Sequence, residues 1–490
     1  MRDCILAIDQ GTTGSRAVVF DAEARVIGGA YRELKQVYPK PGWVEHDPND
    51  IWRTVRTCVR EAVRDCAGRV AGVGITNQRE TTVCWDRSSG QPVGNAIVWQ
   101  CRRTAPLCAS LRPRAEAIRK KTGLPVDPYF SGTKMRWLLE NRAGVDGDRS
   151  VFGTVDAWLI RCLTGDECPR TDRTNACRTM LFNIHDQGWD PELCDWLGVP
   201  VKMLPEVRNS RGDFGVVRSV PELEGVPIGG VAGDQQAALF GQCGFRKGNA
   251  KNTYGTGCFA LQNTGDTAVD SAKGLLTTLA IGPDGGACYA LEGAVFVAGA
   301  ALQWLRDELG VLTDTKDSED IARAAGENLG VYFVPAFVGL GTPYWDTEAR
   351  GIITGLTRGA GAAHVVRAAL ESLAYQTADV LATMKEESGT AMDELAVDGG
   401  AAQNDLLLQF QADLLRIPVV RPANTETTAL GAAFLAGLQT GVWGGAEKLV
   451  DLRTVERVFN PEACPEEARR LLDGWHAAVR QAMTHSEPTD

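Results

Sequence analysis

No two cysteines of this chain stand in a Cys-x-x-Cys pair, although there are fourteen of them. Scattered over 490 residues, they do not form the dense framework by which small secreted domains staple themselves. Reduced thiols in a cytoplasmic protein are the expectation. No run of five or six basic residues occurs, and 51 Lys+Arg against 62 Asp+Glu leave a net charge of −11. Duplex nucleic acid and anionic membranes both need a clustered positive face, so neither is the expected partner, and a small molecule is. The apolar stretch Gly293–Leu305 is bounded by Glu292 and Arg306 and falls short of the roughly 18–20 residues that span a bilayer. Ile5–Ile8, halted by Asp9, is shorter than the apolar core of a signal peptide, so secretion is not expected. Gly-x-x-x-x-Gly-Lys-Ser/Thr and a His-Arg-Asp catalytic loop are also absent. A phosphate-transferring chain of this kind uses neither the P-loop nor the protein-kinase scaffold.

What is present is a chain of ordinary globular balance, 44% hydrophobic and 23% charged. At roughly 100–200 residues per domain its length suggests two to four domains. Ile5–Ile8 and Ala17–Phe20 are short apolar runs separated by Asp9-Gln-Gly-Thr-Thr-Gly-Ser-Arg16, which reads as strand, tight turn and returning strand. The arrangement returns where Gly248-Asn-Ala-Lys-Asn-Thr-Tyr-Gly-Thr-Gly257 leads into Cys258–Leu261. Val70–Ile75 and Leu395–Gly400 add one buried strand to each part. Val366, Leu370, Leu373, Thr377, Val380 and Met384 recur at three- and four-residue intervals between Gly361 and Gly389, the mark of a long amphipathic helix. The class is therefore α/β, with two related halves, 1–247 and 248–490, and a frayed tail from Glu487.

A turn rich in Gly and Thr can aim N–H groups and hydroxyls at phosphate oxygens, and an aspartate at its head can serve Mg²⁺. One such turn is weak evidence. One turn per half is stronger, because a nucleotide in an interdomain cleft needs a grip from each side. Gly233-Asp234 follows the strand-like Val231-Ala232, so Asp234 reads either as a helix cap or as a cleft carboxylate. Arg79 and Glu80 are neighbours in sequence. A loop after Thr76 that faces the cleft suits them better than a mutual salt bridge.

Tyr129-Phe-Ser-Gly-Thr-Lys-Met-Arg-Trp-Leu-Leu-Glu-Asn141, and Gly351-Ile-Ile-Thr-Gly-Leu-Thr357 with His364-Val-Val-Arg-Ala-Ala-Leu-Glu371, resemble the two diagnostic segments of the FGGY carbohydrate kinases. The resemblance covers nearly the whole chain. Asn77-Gln-Arg-Glu-Thr81, Trp99-Gln-Cys-Arg-Arg-Thr104 and Gly233-Asp-Gln-Gln-Ala-Ala-Leu-Phe240 are similar to the members that act on glycerol rather than to their sugar-kinase relatives. The resemblance implies two actin-like, ribonuclease H-type domains related by duplication. The first is mainly glycerol-binding, the second mainly nucleotide-binding, and the cleft between them takes glycerol and ATP/ADP. It implies Asp234 as general base, with Arg79, Glu80, Tyr129 and Gln235 on the polyol hydroxyls and Trp99 and Phe259 as an apolar wall. Thr12, Thr13, Arg16 and Thr256 would meet the phosphates, and Gly299, Gln303, Gly400 and Asn404 the adenosine. Mg²⁺ would be served by Asp9, through water, and by Asp234. A homo-oligomer, dimer or tetramer, is also implied. The alternatives are another polyol or sugar kinase of the family and a non-metabolic actin-fold ATPase. Two departures stand out: Gly14 where serine is common, and Arg208–Gly230, which lacks the Gly-Gly-Lys-Gly-Gly-Thr-Arg loop that binds fructose 1,6-bisphosphate in some bacterial members. No histidine lies between His185 and His364, so the regulatory phosphohistidine of some relatives is not expected either.

Overall fold

A computed structural model of the chain describes residues 2–484, so the tail from Glu487 lies outside the described residues. Two mixed sheets organise it. The first runs β5-β4-β1-β2-β3, from β1 (Cys4–Gln10), β2 (Gly14–Phe20), β3 (Val26–Glu33), β4 (Val70–Asn77) and β5 (Ile228–Gly233). The second runs β8-β9-β7-β6-β10-β11-β12. Its strands are β6 (Ala250–Tyr254), β7 (Cys258–Gly265), β8 (Leu276–Ile281), β9 (Ala287–Val295), β10 (Leu395–Asp398), β11 (Val419–Pro422) and β12 (Val455–Phe459). Each sheet contains an antiparallel meander whose first strand continues into two parallel neighbours: β1 pairs β4 and β4 pairs β5, as β6 pairs β10 and β10 pairs β11. The repeated order is the duplication that the two Gly/Thr hairpins suggested.

Both hairpin turns are tighter than the sequence suggested. Asp9 and Arg16 are not in the turn but face each other across the β1–β2 ladder, leaving Gly11, Thr12 and Thr13 at the tip. Likewise Ala250–Tyr254 is strand, and only Gly255, Thr256 and Gly257 turn. The glycines allow the tips to close, with Gly11 N–H on the Gly14 carbonyl and Gly255 N–H on that of Gly257, both at 2.9 Å.

Helices cover both faces of each sheet. Along β1 the side chains alternate. Cys4, Leu6 and Ile8 share a core with Val55, Cys58 and Val59 of α1 (Pro48–Ala62), and Ile5 and Ala7 pack on the opposite side. That side is covered by a helix from the far end of the chain. We label the relevant helices α2 (Asp234–Gly241), α3 (Gly299–Asp307), α4 (Ala362–Ser388) and α5 (Thr427–Thr440). The long periodic segment forms α4, which begins after Gly361, stops at left-handed Gly389 (φ 60°) and buries its apolar stripe on the second sheet. On the other face of that sheet Leu239 of α2 packs against Leu261, Ala280 and Ala290. The layers therefore run α1, first sheet, α5, α2, second sheet, α4. Helix α5 belongs to the second half by sequence and to the first sheet by packing.

Glycine permits this exchange. A Cβ on Gly74 of β4 would sit 2.1 Å from the Ala432 carbonyl oxygen of α5, and one on Gly230 of β5 would sit 2.7 Å from the Ala436 nitrogen. Where α2 crosses α5, a Cβ on Gly431 would lie 1.9 Å from the Ala237 carbonyl oxygen, and one on Gly241 2.1 Å from that of Thr427. The backbones touch where real Cβ atoms could not fit. Helix α5 is accordingly apolar almost all round, as a helix buried between two layers must be. The uncharged run from Thr427 to Ala446 is longer than Gly293–Leu305, but its helix ends at left-handed Gly441. Gly293–Leu305 itself divides between the end of β9 and the start of α3. Among the described residues no helix is long and apolar enough to cross a membrane.

The crossing generates a stability prediction. Gly431→Ala forces α2 and α5 apart and should lower the unfolding free energy by about 1–3 kcal/mol, the usual cost of overpacking. Gly444→Ala, where an added Cβ meets nothing within 4 Å, should change it far less, and urea unfolding of the two variants makes the comparison.

Candidate functional site

Parallel strands end on one edge of a sheet, and chemistry collects there because the chain leaves every strand at the same side. In the first sheet Gln10, Asn77 and Gly233 are in register across β1, β4 and β5. The residues near them, Asp9, Arg79, Glu80 and Asp234, therefore converge although the first and last are 225 positions apart in the chain. Asp234 opens α2 as its first residue. Gly233 occupies the cap position, so the capping role is not the one Asp234 plays. Its Oδ1 accepts from the Gln235 N–H at 2.7 Å and lies 3.0 Å from Nε of Arg79, and about a third of its side chain remains open to the cleft.

Arg79 and Glu80 are not on an exposed loop. Both are buried at 3% and 1% exposure, inside a cluster of four charges. Arg79 donates to Glu292 through Nη1 (2.5 Å) and Nη2 (3.1 Å), and its Nη1 also donates to Gln236 Oε1 (3.3 Å). Arg178 joins the two acids, donating through Nε to Glu80 (2.6 Å) and through Nη2 to Glu292 (3.0 Å). Arg79 and Glu80 make no bridge to each other, as their adjacency suggested. Glu80 also holds a backbone conformation rare for a residue with a side chain (φ 60°), a strain of about 1–3 kcal/mol that surrounding contacts must sustain. Ser131, whose hydroxyl donates to the Glu80 carbonyl at 3.0 Å, is one of those contacts.

The cluster leaves defined hydrogen-bonding capacity. A guanidinium has five N–H protons. Two on Nη1 and one on Nη2 of Arg79 are engaged, which leaves one Nη2 proton and the Nε side beside Asp234. Oε1 of Glu80 is engaged by Arg178, and among the described residues no donor serves Oε2. Burial works against the charges, yet Arg178 and Arg79 hold the Glu292 carboxyl down at about 2, and Glu292, Glu80 and Asp234 hold Arg79 above the ordinary arginine range. Burial raises Glu80 despite its arginine neighbours. Asp9 is pushed up to about 7, first by burial and then by the charge of Asp234.

The remaining sequence-predicted residues fall into two groups around this edge. Tyr129 meets Trp99 edge to face with centroids 5.5 Å apart, and burial raises its phenol above the usual range. The Trp99 indole N–H donates to Thr12 Oγ1 at 2.9 Å, so Trp99 and the tip of the first hairpin are directly joined. Thr13 stands exposed at the same tip, and Arg16 pairs with Glu426 while lying 5.6 Å from the Tyr31 ring. Phe259 comes from the other half, on β7, and the ring partner of Trp99 is Tyr129, not Phe259.

The second half builds its own platform. The Gly255 and Thr256 carbonyls accept from the Gly299 and Ala298 N–H groups at 3.1 and 2.9 Å, so the second hairpin tip rests on the start of α3. Gly299 is required there, since a Cβ would meet the Gly255 oxygen at 2.7 Å. Gln303 lies exposed one turn further along α3. Gly400 follows β10 with open space around it. Asn404 caps the helix Asp405–Leu415, its Oδ1 accepting from the Leu407 N–H at 2.9 Å.

Comparison with known proteins agrees with this arrangement. The model of the N-terminal domain of the FGGY family of carbohydrate kinases matches residues 4–241, and that of the C-terminal domain matches 250–440. The chain is 55% identical to glycerol kinase of Symbiobacterium thermophilum, over 98% of both chains, and 53% identical to glycerol kinase 1 of Clostridium tetani, over 99% of both. The crystal structure of Plasmodium falciparum glycerol kinase with ADP superposes with a TM-score of 0.92 at 34% identity, covering 99% of each chain. Xylulose kinase from Lactobacillus acidophilus shares the fold, with a TM-score of 0.88 at 23% identity and the same coverage.

Sequence reasoning missed three residues of the site: Arg178, Lys251 and Glu292. Glu292 carried a signal, because it is the single charge in the strand Ala287–Val295, and a charge at 1% exposure requires a partner. Lys251 likewise interrupts β6 with a fully buried ammonium, which burial lowers to about 8. Truncating Glu292 to Ala leaves two buried guanidinium groups without their shared acceptor. The expected loss is about 3–5 kcal/mol of stability, with a smaller loss for Glu292→Gln, which keeps an acceptor. Chemical unfolding of both variants checks the order.

Proposed function

The chain belongs to the FGGY family of carbohydrate kinases, and from that premise we infer how its cleft phosphorylates glycerol. The activity is ATP-dependent transfer of a phosphoryl group to glycerol, giving glycerol 3-phosphate and ADP. The observation that carries the mechanism is Asp234, a partly open carboxylate at the edge where three parallel strands end, beside Arg79 and at the start of a helix. We assign it as the general base. Its Oδ accepts the proton of the attacking primary hydroxyl as the new O–P bond forms and the bond to the ADP oxygen breaks.

Glycerol hydroxyls have suitable partners in the Glu80 Oε2 acceptor, the free Nη2 proton of Arg79, the Tyr129 phenol and Gln235, with Trp99 and Phe259 against the carbon chain. Thr12, Thr13 and Arg16 grip the phosphates from one half and Thr256 from the other. Adenosine lies on Gly299, Gln303, Gly400 and Asn404. Arg16, already facing the acid Glu426 across the halves, is the guanidinium able to neutralise the transferring group.

Mg²⁺ fits the residues present. Among the described residues there is no cluster of three acidic, Cys or His ligands, but a magnesium ion that keeps its waters needs only one or two carboxylates and the phosphates. Asp234 and Asp9, whose carboxyl is pushed up to about 7 first by burial and then by the charge of Asp234, are the pair that would hold it. Bound there, Mg²⁺ would supply charge neutralisation on the phosphates. In this reading 1–247 and 248–490 are the two domains, with α5 reaching across. The same reading carries a cytoplasmic homo-oligomer, dimer or tetramer. The fourteen cysteines, all free, suit a reducing compartment.

Two outcomes test this. Asp234→Asn should keep its melting temperature and lose at least roughly 10²-fold in kcat, and near-normal turnover in a folded variant would remove Asp234 from the role. Glycerol should also be phosphorylated far better than ketohexoses or xylulose, because each hydroxyl of a longer sugar left unpaired costs about 1–3 kcal/mol. Coupled ADP detection across a polyol and sugar panel measures this, and comparable kcat/KM for xylulose would reject the glycerol-sized pocket.

A further inference from the structure

Lys251 is a buried charge at the cleft that the mechanism above leaves without a task. It lies on β6 with no exposed surface, and its ammonium reaches three acceptors: Gln235 Oε1, Thr253 Oγ1 at 2.8 Å and the Phe259 carbonyl at 3.2 Å. An ammonium has three protons and no lone pair, so its donors are fully used and it can accept from nothing. Two of the three acceptors belong to residues assigned to the polyol, Gln235 by its side chain and Phe259 by its backbone.

A primary amide is ambivalent. Turned one way Gln235 offers N–H donors to the cleft, and turned the other way it offers a carbonyl oxygen. Lys251 removes the ambivalence, because the reverse orientation would set N–H against N–H beside a buried cation. Among the described residues none accepts from Gln235 Nε2, so the donor end is the one left for a ligand. A hydroxyl oxygen meeting that end must accept, and its own proton must go to another acceptor, which the neighbouring Asp234 carboxylate can supply.

We propose that Lys251 is a positioning residue that locks Gln235 as a hydrogen-bond donor, so that this subsite takes a polyol hydroxyl and rejects an ammonium group in its place. The proposal rests on the reading that Gln235 touches the acceptor substrate. It adds a rule of discrimination that pocket size does not provide, since a hydroxyl and an ammonium are nearly the same size.

The test compares glycerol with 3-amino-1,2-propanediol, protonated at neutral pH, as phosphoryl acceptors for the full-length enzyme. Coupled ADP release is measured alongside melting curves. Lys251→Met should raise KM for glycerol about 10-fold with the KM for ATP unchanged, and should lower the glycerol-to-amine ratio of kcat/KM by a similar factor. Lys251→Arg, which retains donors toward Gln235, should restore most of the ratio. Gln235→Glu keeps an acceptor toward Lys251 and presents a second one to the cleft, so it should shift the ratio toward the amine by about 100-fold. A folded Lys251→Met with an unchanged ratio, or one that loses only kcat, overturns the role of Lys251 if Gln235→Glu still shifts the ratio. If neither variant moves the ratio, Gln235 does not touch the polyol and the underlying reading fails. Should Lys251→Met not fold, the Lys251→Arg and Gln235→Glu ratios decide, and no shift in the latter overturns the proposal.

Discussion

Two arginines and two glutamates, all nearly inaccessible to water, occupy the centre of this molecule, and the rest of the site follows from the need to keep them neutral as a group. Removing a charge from water costs several kcal/mol even after relaxation, so each member persists only while its partners stay in place. Arg79 and Glu80 enter from the end of β4, Arg178 follows the short helix Arg173–Ala176, and Glu292 comes from β9 in the other sheet. The two halves must therefore meet across this cluster. The same pairing that satisfies the charges fixes which protons and lone pairs remain, one on Nη2 of Arg79 and those of Oε2 of Glu80, and in the proposed function those remainders meet the polyol. The four charges sum to zero. A neutral triol leaves that balance undisturbed, while a carboxylated or already phosphorylated substrate would bring an uncompensated charge next to Asp234 and Asp9.

Trp99 connects Tyr129 to the first hairpin. Its ring lies against Tyr129 and its N–H holds the Thr12 hydroxyl at the hairpin tip. A shift of either neighbour is felt by the other through one rigid side chain with two torsions. On the far side Lys251 makes a comparable connection between the halves, joining Gln235 of α2, in the first, to the β6–β7 hairpin of the second, which carries Thr256. Each Gly/Thr turn is thus tied to a residue of 1–247.

Much of this was legible in the sequence where the information is local. The hairpins, β4, β10 and α4 announce themselves by alternation, by three- and four-residue periodicity and by glycine punctuation, and the convergence of Asp9, Arg79 and Asp234 follows once parallel strands are recognised. Turn lengths were overestimated because polar residues such as Arg16 and Lys251 look like loop residues until an ion pair or a buried acceptor is known for them. The partners Glu292 and Arg178 lie 213 and 98–114 positions from the groups they serve, and no local pattern couples such positions. The left-handed backbone of Glu80 gave no signal, since only tertiary contacts impose it on a glutamate. Nor did the sequence show that α5 crosses to the first sheet. No local pattern tells that Gly74 and Gly230 admit its backbone, or that Gly431 faces Gly241 and Ala237.

That crossing has a mechanical consequence. Where two helices interlock through side chains, ridges seated in grooves select a crossing angle and resist departures from it. Helices α2 and α5 meet through Gly241 and Gly431, with backbone against backbone and no ridge at the point of closest approach. Their separation is stiff, because the atoms are already in contact and the layers on both sides are packed. Around that contact Ala237 and Phe240 of α2 share one apolar cluster with Leu430, Ala433 and Phe434 of α5. Since α5 lies on the first sheet and α2 on the second, an atom added at either glycine presses on both layers at once.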